Sequence, residues 1–575
     1  MTTIVELNVN NYRGIKKLNL VLEHDKRLVC IIGRGDSGKT TILEAISSVL
    51  SPNWNLTFSD EDFYISDLTN NIEITLSMIG FPDKYLADNS YGLYVRALDL
   101  ETGKLEDDVT LPEEEGFLPA LTIKLTVDSS LEPHWVVTCN REIEDKPISA
   151  KDRANLNCFL ISDYIDRHFS WKRGNPLNAI LNLSKIEGKV EDGIDNNIVI
   201  EQLRKAKAEI DKNNFSELDD ATKRIIEQAE LLGIDASNIR TTLDSKDLLI
   251  KSGMIALHDE SVPYRLKGKG SKRLTSIAIQ SILVREGGIM LIDEIEQGLE
   301  PDRVKQAVRA LSAHGAGQIF LTTHSREVIT ELGSQPLLLV LRNEQDDSVV
   351  ARFFSEREIN LQKTVRACPE AFFAKKVIVC EGATEIGICR AIDKWRGSKG
   401  QKYMALLDCA YVDGTGSTID VRVDEIELSG IKTAIFCDSD LSKINNKKPD
   451  WKLRDISVFD CEEDLCIEQQ IFKDLPWEGV LELLNYASNQ APSSFNNVFS
   501  EQKHVEIDSW ENTMELRETI MSKFTPKAGE VKRDWFKQQH HGEKIGEVIF
   551  KNFDKLCIES SLYKAINGIS EWIGS

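Results

Sequence analysis

With 575 residues, the chain is long enough for two to four domains. Its 41% hydrophobic and 28% charged residues are typical of a globular protein with buried cores, and its short, interrupted apolar runs exclude a membrane span. The net charge of -23 excludes a protein that coats nucleic acid through bulk positive charge, although a local basic channel remains compatible with it.

The chain start and the cysteines bear on location. The sequence opens on a strand-like pattern at residues 4–9, without the features of a signal peptide. The 11 cysteines are scattered, with no CxxC pair and no Cys/His spacing of a zinc site, which predicts reduced core residues. Together these patterns predict a cytoplasmic protein with no membrane partner.

The first sixty residues contain a phosphate-binding loop. They read as strand, turn, strand, loop and helix, with CIIGRGDSGKTT at residues 30–41. Four residues fit the consensus GxxxxGK[ST] in the strand-to-helix context that it requires: Gly33, Gly38, Lys39 and Thr40. Backbone N–H groups would face the phosphates of ATP, Lys39 would reach the terminal phosphates, and the Thr40 hydroxyl would bind Mg²⁺. The other loop residues assigned to nucleotide binding are Asp36, Ser37 and Thr41.

Two segments interrupt the ATPase motifs. Residues 70–140 alternate apolar and polar side chains, which predicts half-buried strands of an antiparallel sheet. Residues 196–250 are polar with a helical period, which predicts an inserted helical hairpin. This hairpin would either pair with another subunit or pack as a cap on its own domain.

A glycine-rich turn, RLKGKGSKRL at residues 265–274, precedes a predicted helix. Its place between the phosphate loop and an acidic strand matches the ABC signature. Gly268 and Gly270 would then donate backbone N–H groups to the γ-phosphate bound on another ATPase lobe. Lys267 stands where a serine is common, and a basic surface turn is the alternative interpretation.

The apolar strand IMLIDE, residues 289–294, ends in two acids of the Walker B type. Asp293 would hold Mg²⁺ through water, and Glu294 would polarise the attacking water as general base. The motif LEPD follows, and then a strand that ends at His324. A histidine at this strand end can contact the γ-phosphate.

This half of the chain resembles the SMC-like and RecF-like ABC ATPases. The opening LNVNNYRGIKKLNL is similar to their first hairpin, and the resemblance implies a nucleotide contact for Arg13 at the aromatic-Arg position. Asp62, in FSDEDFY, stands where the resemblance places the Q-loop, which contacts Mg²⁺ or its water. A helix-capping or surface carboxylate is the alternative for Asp62.

Acidic residues end or follow three later strands. KKVIVCEGATEIGICRAID places Glu381 at a strand end and Glu385 in the first turn of a helix, so both carboxylates can face one point. TAIFCDSD ends in Asp438 and Asp440, which point the same way as residues i and i+2 of a strand. A third cluster lies at 462–464. Ligands that are all oxygens suit Mg²⁺ or Mn²⁺.

The order EGxxE and then DxD resembles the Toprim pattern of topoisomerases, primases and certain nucleases. A topoisomerase would need a separate domain for its tyrosine nucleophile, and the sequence leaves no room for one. Water is therefore the favoured nucleophile, with two metals to activate it and to stabilise the leaving 3′ oxygen of a phosphodiester.

An ABC ATPase with a helical insertion, followed by Toprim in one chain, is similar to the OLD (overcoming lysogenization defect) family nucleases. The resemblance implies these metal ligands: Glu381, Glu385, Asp438, Asp440 and Glu463. In the third cluster, Glu462 and Asp464 remain alternatives to Glu463. The resemblance also implies a functional lysine, for which Lys544 in HHGEKIGEVIF is the candidate; a solvated surface lysine is the alternative.

The family resemblance implies partners as well. It implies homo-oligomers, dimeric or higher, joined through the helical insertion and the ATPase lobes, and antiphage defence by cutting or nicking DNA. Some members act beside a helicase-like protein, and others beside a retron reverse transcriptase with its RNA–DNA product; this chain is most similar to the retron kind. Two basic stretches contain aromatic residues: 443–454 with Trp451 and 523–537 with Trp535 and Phe536. They predict DNA contacts, through cations on phosphates and aromatic rings stacked on unpaired bases; solvated charged loops are the alternative.

The predicted fold class is α/β: an ABC-type ATPase domain of mixed sheet plus antiparallel β lobe, with a helical insertion, followed by a Toprim α/β domain. The predicted boundaries are 1–165 and 256–365 for the ATPase, 166–255 for the insertion and 366–575 for Toprim. The predicted function is a DNA endonuclease that binds and hydrolyses ATP and uses Mg²⁺ or Mn²⁺. The alternative is a non-catalytic, ATP-dependent DNA-binding scaffold or sensor whose partners do the chemistry.

Overall fold

The structure is a computed structural model that divides the chain into two compact units, Met1–Ser355 and Glu356–Ser575. It describes residues 2–108, 110, 114–172, 174–186, 216–236, 238–243, 255–313, 317–343, 345–354, 361–500, 506–523 and 536–575. Each unit has its own main sheet and its own main hydrophobic core.

The described part of the first unit is built on a large mixed sheet and a small three-stranded one. The strands are β1 Thr3–Tyr12, β2 Ile15–Val21, β3 Leu28–Ile32, β4 Ile72–Ile79, β5 Arg96–Asp99, β6 Leu105–Glu106, β7 Phe117–Val127, β8 Pro133–Thr138, β9 Lys146–Pro147, β10 Cys158–Ile161, β11 Ile239–Leu243, β12 Ile255–Asp259, β13 Val262–Pro263, β14 Ile289–Ile292, β15 Gln318–Thr322, β16 Leu337–Arg342 and β17 Val349–Phe353. The large sheet has the order β10-β14-β15-β3-β16-β17-β2-β1-β4-β7-β5-β6, and β8 pairs with β7 and β9. The small sheet has the order β11-β12-β13.

The large sheet has a parallel half and an antiparallel half. Strands β10, β14, β15, β3 and β16 run parallel, and β14 and β15 are buried along their whole length, as expected for strands covered on both faces. Strands β1, β4, β7 and β5 run antiparallel. The predicted α/β class, with a mixed sheet and an antiparallel lobe, is confirmed. Because parallel strands end at the same edge, the residues that follow β3, β14 and β15 meet there.

Helices cover the parallel half and form part of the predicted insertion. The helices in the described part of this unit are α1 Lys39–Val49, α2 Asp83–Leu86, α3 Ala150–Ala154, α4 Pro176–Ile186, α5 Ser216–Leu231, α6 Lys269–Arg285, α7 Pro301–Ser312 and α8 Arg326–Leu332. Helix α5 packs against α4 and α6, and strand β11 follows it because Ile239, Thr241 and Thr242 favour extended backbone. Residues 187–215 and 244–254 of the predicted insertion lie outside the described residues.

The second unit is a parallel four-stranded sheet surrounded by helices. Its strands, β18 Lys376–Cys380, β19 Cys409–Asp413, β20 Lys432–Cys437 and β21 Ser457–Asp460, have the order β19-β18-β20-β21. Its helices are α9 Leu361–Ala367, α10 Ala383–Ser398, α11 Ile419–Leu428, α12 Ser442–Asn445, α13 Lys448–Leu453, α14 Ile467–Asp474, α15 Trp477–Gln490, α16 Pro492–Val498, α17 Met514–Ser522, α18 Gln539–Lys551 and α19 Ser561–Gly574. Glu381 follows β18 directly, and Asp438 follows β20 directly.

Two further findings bear on the sequence predictions. The cysteines are unpaired, and nine of them are buried, as predicted for core residues; Cys139 is half-buried and Cys557 is exposed. Among the described residues, no helix is both long enough and apolar enough to cross a membrane.

Candidate nucleotide site and carboxylate centre

The phosphate loop follows β3 and is shaped by two glycines. Gly33 has φ 141°, and a Cβ atom there would lie 2.4 Å from the Val340 carbonyl oxygen. Gly38 has φ 99° and caps α1. Both positions therefore require glycine. The loop also contains Asp36 at φ 62° and the buried Ser37, and Thr41 lies in the first turn of α1.

Lys39 is the buried cation of this loop. Its Nζ donates to the carbonyl oxygens of Gly33, at 3.1 Å, and Arg34, at 2.7 Å. Burial lowers the pKa of Lys39 to about 8, while the charges of Asp293 and Asp36 act in the opposite direction. In a nucleotide complex, phosphate oxygens would replace the two carbonyl acceptors. Their negative charge would stabilise the protonated form of Lys39, which burial disfavours.

A hydrogen-bond chain joins the loop to the acidic strand. The Thr40 hydroxyl donates to Asp293 Oδ1 at 3.0 Å, and the Thr322 hydroxyl donates to the same oxygen at 2.6 Å. Glu294 follows with φ 46°, and its N–H donates to Thr322 Oγ1 at 2.7 Å. Burial, and then the nearby Asp293 charge, raise the pKa of Glu294, which suits a general base.

His324 lies at the end of β15, beside the loop. Burial, followed by the charge of Lys39, lowers its pKa, so the imidazole is neutral near pH 7. Its backbone N–H donates to Glu296 Oε1 at 2.6 Å, and the Thr323 hydroxyl donates to Glu296 Oε2 at 2.7 Å. Glu296 therefore holds the segment that positions His324.

In the second unit, the predicted acids meet at the ends of β18 and β20. These strands are parallel neighbours, and the Glu381 N–H donates to the Phe436 carbonyl at 3.0 Å. The Asp438 N–H donates to Glu381 Oε2 at 2.9 Å. Glu381, Asp438 and Asp440 each offer a carboxylate oxygen, and these oxygens lie within 4.8 Å of one another. Three oxygen ligands at this spacing fit a divalent cation.

Two more buried carboxylates lie behind this cluster. Glu385 is 4% exposed in the first turn of α10, and Glu468 is 2% exposed on α14. Burial, and then the charge of Glu468, raise the pKa of Glu385 to about 7. Burial raises the pKa of Asp438 well above its ordinary value, with Glu385 and Glu468 adding to the effect. The centre holds more negative charge than its own residues offset, which is the condition that a bound divalent cation relieves.

Lys537 is a cation that lies at this centre. Its Nζ lies 2.6 Å from Glu468 Oε1, and its pKa is raised by the charges of Glu468, Asp438 and Glu385, against the effect of burial. The Thr384 hydroxyl donates to the Phe536 carbonyl at 2.8 Å, which holds the neighbouring backbone beside the start of α10.

Each unit contains a segment that matches a known protein family. Residues 28–330, more than half of the chain, match the family described as "AAA domain, putative AbiEii toxin, Type IV TA system", and residues 372–440 match "Overcoming lysogenization defect protein-like, TOPRIM domain". The chain belongs to this AAA family and has an OLD-like TOPRIM domain. The predicted resemblance to the OLD family is thereby confirmed.

Similar individual proteins were also found. The OLD nuclease of Thermus scotoductus is 22% identical over 476 residues, which cover 77% of this chain and 83% of that protein. An SMC head bound to the C-winged helix domain of ScpA is 14% identical with a TM-score of 0.37, over 62% of this chain and 99% of that one. The SMC head domain from Thermotoga maritima is 13% identical with a TM-score of 0.28, over 61% and 99%.

The AAA and TOPRIM domains confirm the predicted enzyme class, a hydrolase that joins an ATPase to a nuclease domain. They imply the use of a nucleotide and of a divalent metal.

The first unit gives two predicted nucleotide-site residues, Arg13 and Asp62, structural contacts. Arg13 has φ 48°, donates from Nε to Asp62 Oδ1 at 2.7 Å, and also pairs with Glu44. Asp62 accepts the Ser59 N–H at 2.9 Å and so caps a short helix, which was the alternative interpretation. The nucleotide or Mg²⁺ contacts of Arg13 and Asp62 stay predictions.

The glycine-rich turn packs on the loop after the acidic strand. Gly268 is the N-cap of α6, and a Cβ atom on Gly270 would lie 2.6 Å from the Gly298 carbonyl oxygen. Position 270 therefore requires glycine. Lys267, in the usual place of a serine, pairs with Asp259. The γ-phosphate contacts of Gly268 and Gly270 also stay predictions.

In the second unit, some of the predicted site residues do not join the carboxylate cluster. In the third acidic cluster, Glu462 pairs with Lys473, while Glu463 and Asp464 are exposed. Among the described acids, the cluster of close carboxylates does not include these three. Lys544, on α18, donates to Glu482 Oε1 at 2.9 Å. The metal role of Glu463 and the catalytic role of Lys544 stay predictions. Glu468 was not predicted, and Lys537 was predicted only as part of the basic stretch 523–537.

The predicted stacking residues are buried. Trp451 is fully buried, and its Nε1 donates to Asp424 at 2.9 Å, so it is not available to stack on a base. Phe536 is 2% exposed, and Trp535 lies outside the described residues. The expected stacking of Trp451 and Phe536 on DNA bases is incompatible with their burial: Trp451 is fully buried, and Phe536 belongs to the hydrophobic core of the unit. In the stretch 443–454, Lys447 pairs with Asp420 and Asp424. These ion pairs offset positive charge that would otherwise attract DNA phosphates.

Glu385→Gln should stabilise the metal-free protein at alkaline pH. The folded-state pKa of Glu385, about 7, exceeds the ordinary value of 4.5, so its ionisation opposes folding. This penalty is absent below pH 4.5, grows as the pH rises, and is complete above pH 7. In EDTA at pH 8 we expect the variant to gain on the order of 1–3 kcal/mol in unfolding free energy, and little at pH 5.

Thermal or urea unfolding measures this effect, with the exposed Glu547→Gln as the matched control. Mn²⁺ should raise the melting temperature of the wild type and of the control more than that of Glu385→Gln. An equal gain from Mn²⁺ in all three proteins would show that Glu385 does not face the cation.

Proposed function

We propose that this protein is a metal-dependent DNA endonuclease whose TOPRIM centre cuts phosphodiester bonds under control of its ATPase. One observation carries the proposal: the oxygens of Glu381, Asp438 and Asp440 converge at the ends of β18 and β20. The buried Glu385 and Glu468 lie behind them. This is a charge arrangement that a bound cation relieves and that a structural surface cluster does not need.

Two cations would suit this set of ligands. Glu381, Asp438 and Asp440 would hold one, and Glu385 with Glu468 would hold the other; Mg²⁺ or Mn²⁺ suits an all-oxygen site. When bound, such a pair supplies an activated water and stabilises the leaving 3′ oxygen. The protein orients the carboxylates through backbone hydrogen bonds, including the Ile467 N–H that donates to Asp438 Oδ1 at 2.7 Å. Lys537 supplies a positive charge beside the reacting phosphate.

The ATPase would control cleavage through the ATP-dependent association of two copies of the chain. ATP bound at Lys39 and Thr40 would contact Gly268 and Gly270 of a second copy, and the resulting homo-oligomer would reposition the TOPRIM domains. We propose a role in antiphage defence in the cytoplasm. A retron reverse transcriptase with its RNA–DNA product is the favoured partner, ahead of a helicase-like protein.

Alanine variants of Lys537 and Lys544 show which of the two lysines contributes more to DNA cleavage. We expect Lys537→Ala to lower the cleavage rate about 100-fold, because it removes a charge held at the buried centre. Lys544→Ala should cleave near the wild-type rate, because the Lys544 side chain pairs with Glu482 on α15. Lys537→Arg keeps the charge and should recover part of the loss. The opposite ranking of the two alanine variants would restore Lys544 as the functional lysine.

Cleavage of supercoiled plasmid tests the proposal. The wild-type protein is incubated with Mg²⁺, Mn²⁺ or EDTA, each with and without ATP, and then with a reverse transcriptase and its RNA–DNA product if it is inactive alone. Nicked or linear plasmid that appears with a metal and disappears with EDTA supports a nuclease. Metal binding without cleavage under every condition would favour the scaffold alternative.

A further inference from the structure

The backbone of Glu294 is held in an unusual conformation from both sides. Its φ of 46° lies in the left-handed region, which side chains other than glycine rarely adopt. On one side, its N–H donates to Thr322 Oγ1 at 2.7 Å; on the other, its carbonyl oxygen accepts Arg273 Nη2 at 2.8 Å. Because these bonds fix the backbone, they also fix the direction in which the Glu294 carboxylate leaves it.

The buried guanidinium of Arg273, on α6, bonds to the loop after β14. Arg273 is 2% exposed, and its Nη2 also donates to the Asp293 carbonyl. Its Nη1 donates to Gln297 Oε1 at 3.0 Å, and Gln297 Nε2 in turn donates to Asp163 Oδ1. Burial lowers the pKa of Arg273, and the nearby acids oppose this effect. The guanidinium thus connects α6 to the backbone carbonyl groups of Asp293 and Glu294, the two residues that follow β14.

The start of α6 contacts the same loop at a second point. Gly270 lies one turn before Arg273, against the Gly298 carbonyl oxygen. A cavity of about 340 Å³ lies along the first turns of α6, and its lining includes Lys269, Lys272, Arg273, Gln297 and the 88%-exposed Tyr164. The start of α6 is therefore open to an incoming surface or nucleotide, while its second turn contacts the catalytic strand.

We propose that Arg273 is a positioning residue for ATP hydrolysis that transmits contacts made at the start of α6 to Glu294. A displacement of α6 would move the guanidinium and with it the carbonyl groups of Asp293 and Glu294. The general base is then aligned when α6 is engaged and misaligned when it is not. This inference rests on the ATPase and on the role of Glu294 within the proposed function, and it is independent of DNA cleavage.

The test compares Arg273→Met, which keeps length without donors, with Arg273→Lys, which keeps one charged donor. Arg309→Ala is the control, because Arg309 is 62% exposed and pairs with Glu331. The rate of ATP hydrolysis, the affinity for a fluorescent ATP analogue and the melting temperature are measured on the full chain, with and without plasmid. We expect Arg273→Met to lose about 10- to 100-fold in kcat with nucleotide affinity unchanged, and Arg273→Lys to recover part of the loss.

Two results would overturn the inference. A kcat for Arg273→Met equal to that of the Arg309→Ala control would show that Glu294 needs no such positioning. A loss of kcat that follows a parallel loss of nucleotide affinity and melting temperature, without recovery in Arg273→Lys, would show a purely structural residue. Because ATP hydrolysis is measured apart from DNA cleavage, failure of the proposed nuclease would leave these results interpretable.

Discussion

Asp438→Asn is expected to lower metal-dependent DNA cleavage about 100- to 1,000-fold while leaving ATP hydrolysis unchanged. Asp438 is 8% exposed, and its carboxylate is the member of the cluster that also accepts the Ile467 N–H. Asparagine keeps the size of the side chain and can still accept that hydrogen bond. It lacks the negative charge that a cation requires, so cation affinity should be lost and the fold retained.

The matched control is Asp554→Asn, which changes an exposed aspartate of the same unit. Initial rates of plasmid cleavage and of phosphate release are measured for both variants at several Mn²⁺ concentrations. The account would be contradicted if Asp438→Asn cleaved at the control rate. It would also be contradicted if this variant lost ATP hydrolysis, because Asp438 and the ATPase residues lie in separate compact units.

Glu294→Gln is expected to lower the kcat for ATP hydrolysis about 100- to 10,000-fold and to retain bound ATP. The amide has no basic oxygen to polarise water. It leaves intact the backbone hydrogen bonds to Thr322 and Arg273 and the phosphate loop around Lys39. Binding and hydrolysis should therefore separate.

Single-turnover hydrolysis and retention of labelled ATP on a gel-filtration column measure the two properties. Glu286→Gln, an exposed glutamate at the end of α6, serves as the control. Hydrolysis by Glu294→Gln at the control rate would mean that another group acts as the base. Loss of ATP binding would mean that Glu294 shapes the site rather than activates water.

The nucleotide site could be predicted from sequence because its parts are local. The glycines that the phosphate loop requires, and the helix that follows it, occur within a few residues of Lys39. Asp293 is recognisable as the end of an apolar strand. The roles of Thr322 and Glu296 were not visible, although the parallel pairing of β14 with β15 places Thr322 directly beside Asp293. Such pairing depends on the order of strands in the sheet, which no local motif contains.

The carboxylate centre was predicted in part, for the same reason. Glu381, Asp438 and Asp440 follow the ends of two adjacent parallel strands, and strand ends can be read from apolar runs. Lys537 reaches the centre through a close contact of α10 with α18. A Cβ atom on Gly387 would lie 2.2 Å from the Gln539 carbonyl oxygen, so the contact needs glycine. Helix packing between residues so far apart in the chain leaves no local spacing, so the sequence pattern indicated Lys544 rather than Lys537.

The most direct test of the central claim is plasmid cleavage by the wild type and Glu381→Ala, with Mn²⁺ and ATP, while ATP hydrolysis is followed in the same tubes. Glu381 both faces Asp438 and Asp440 and accepts the Asp438 N–H, so its removal should dismantle the carboxylate centre. We predict cleavage by the wild type, none by the variant, and equal ATP hydrolysis by both. Cleavage by Glu381→Ala at the wild-type rate would contradict the assignment of the TOPRIM centre as the nuclease.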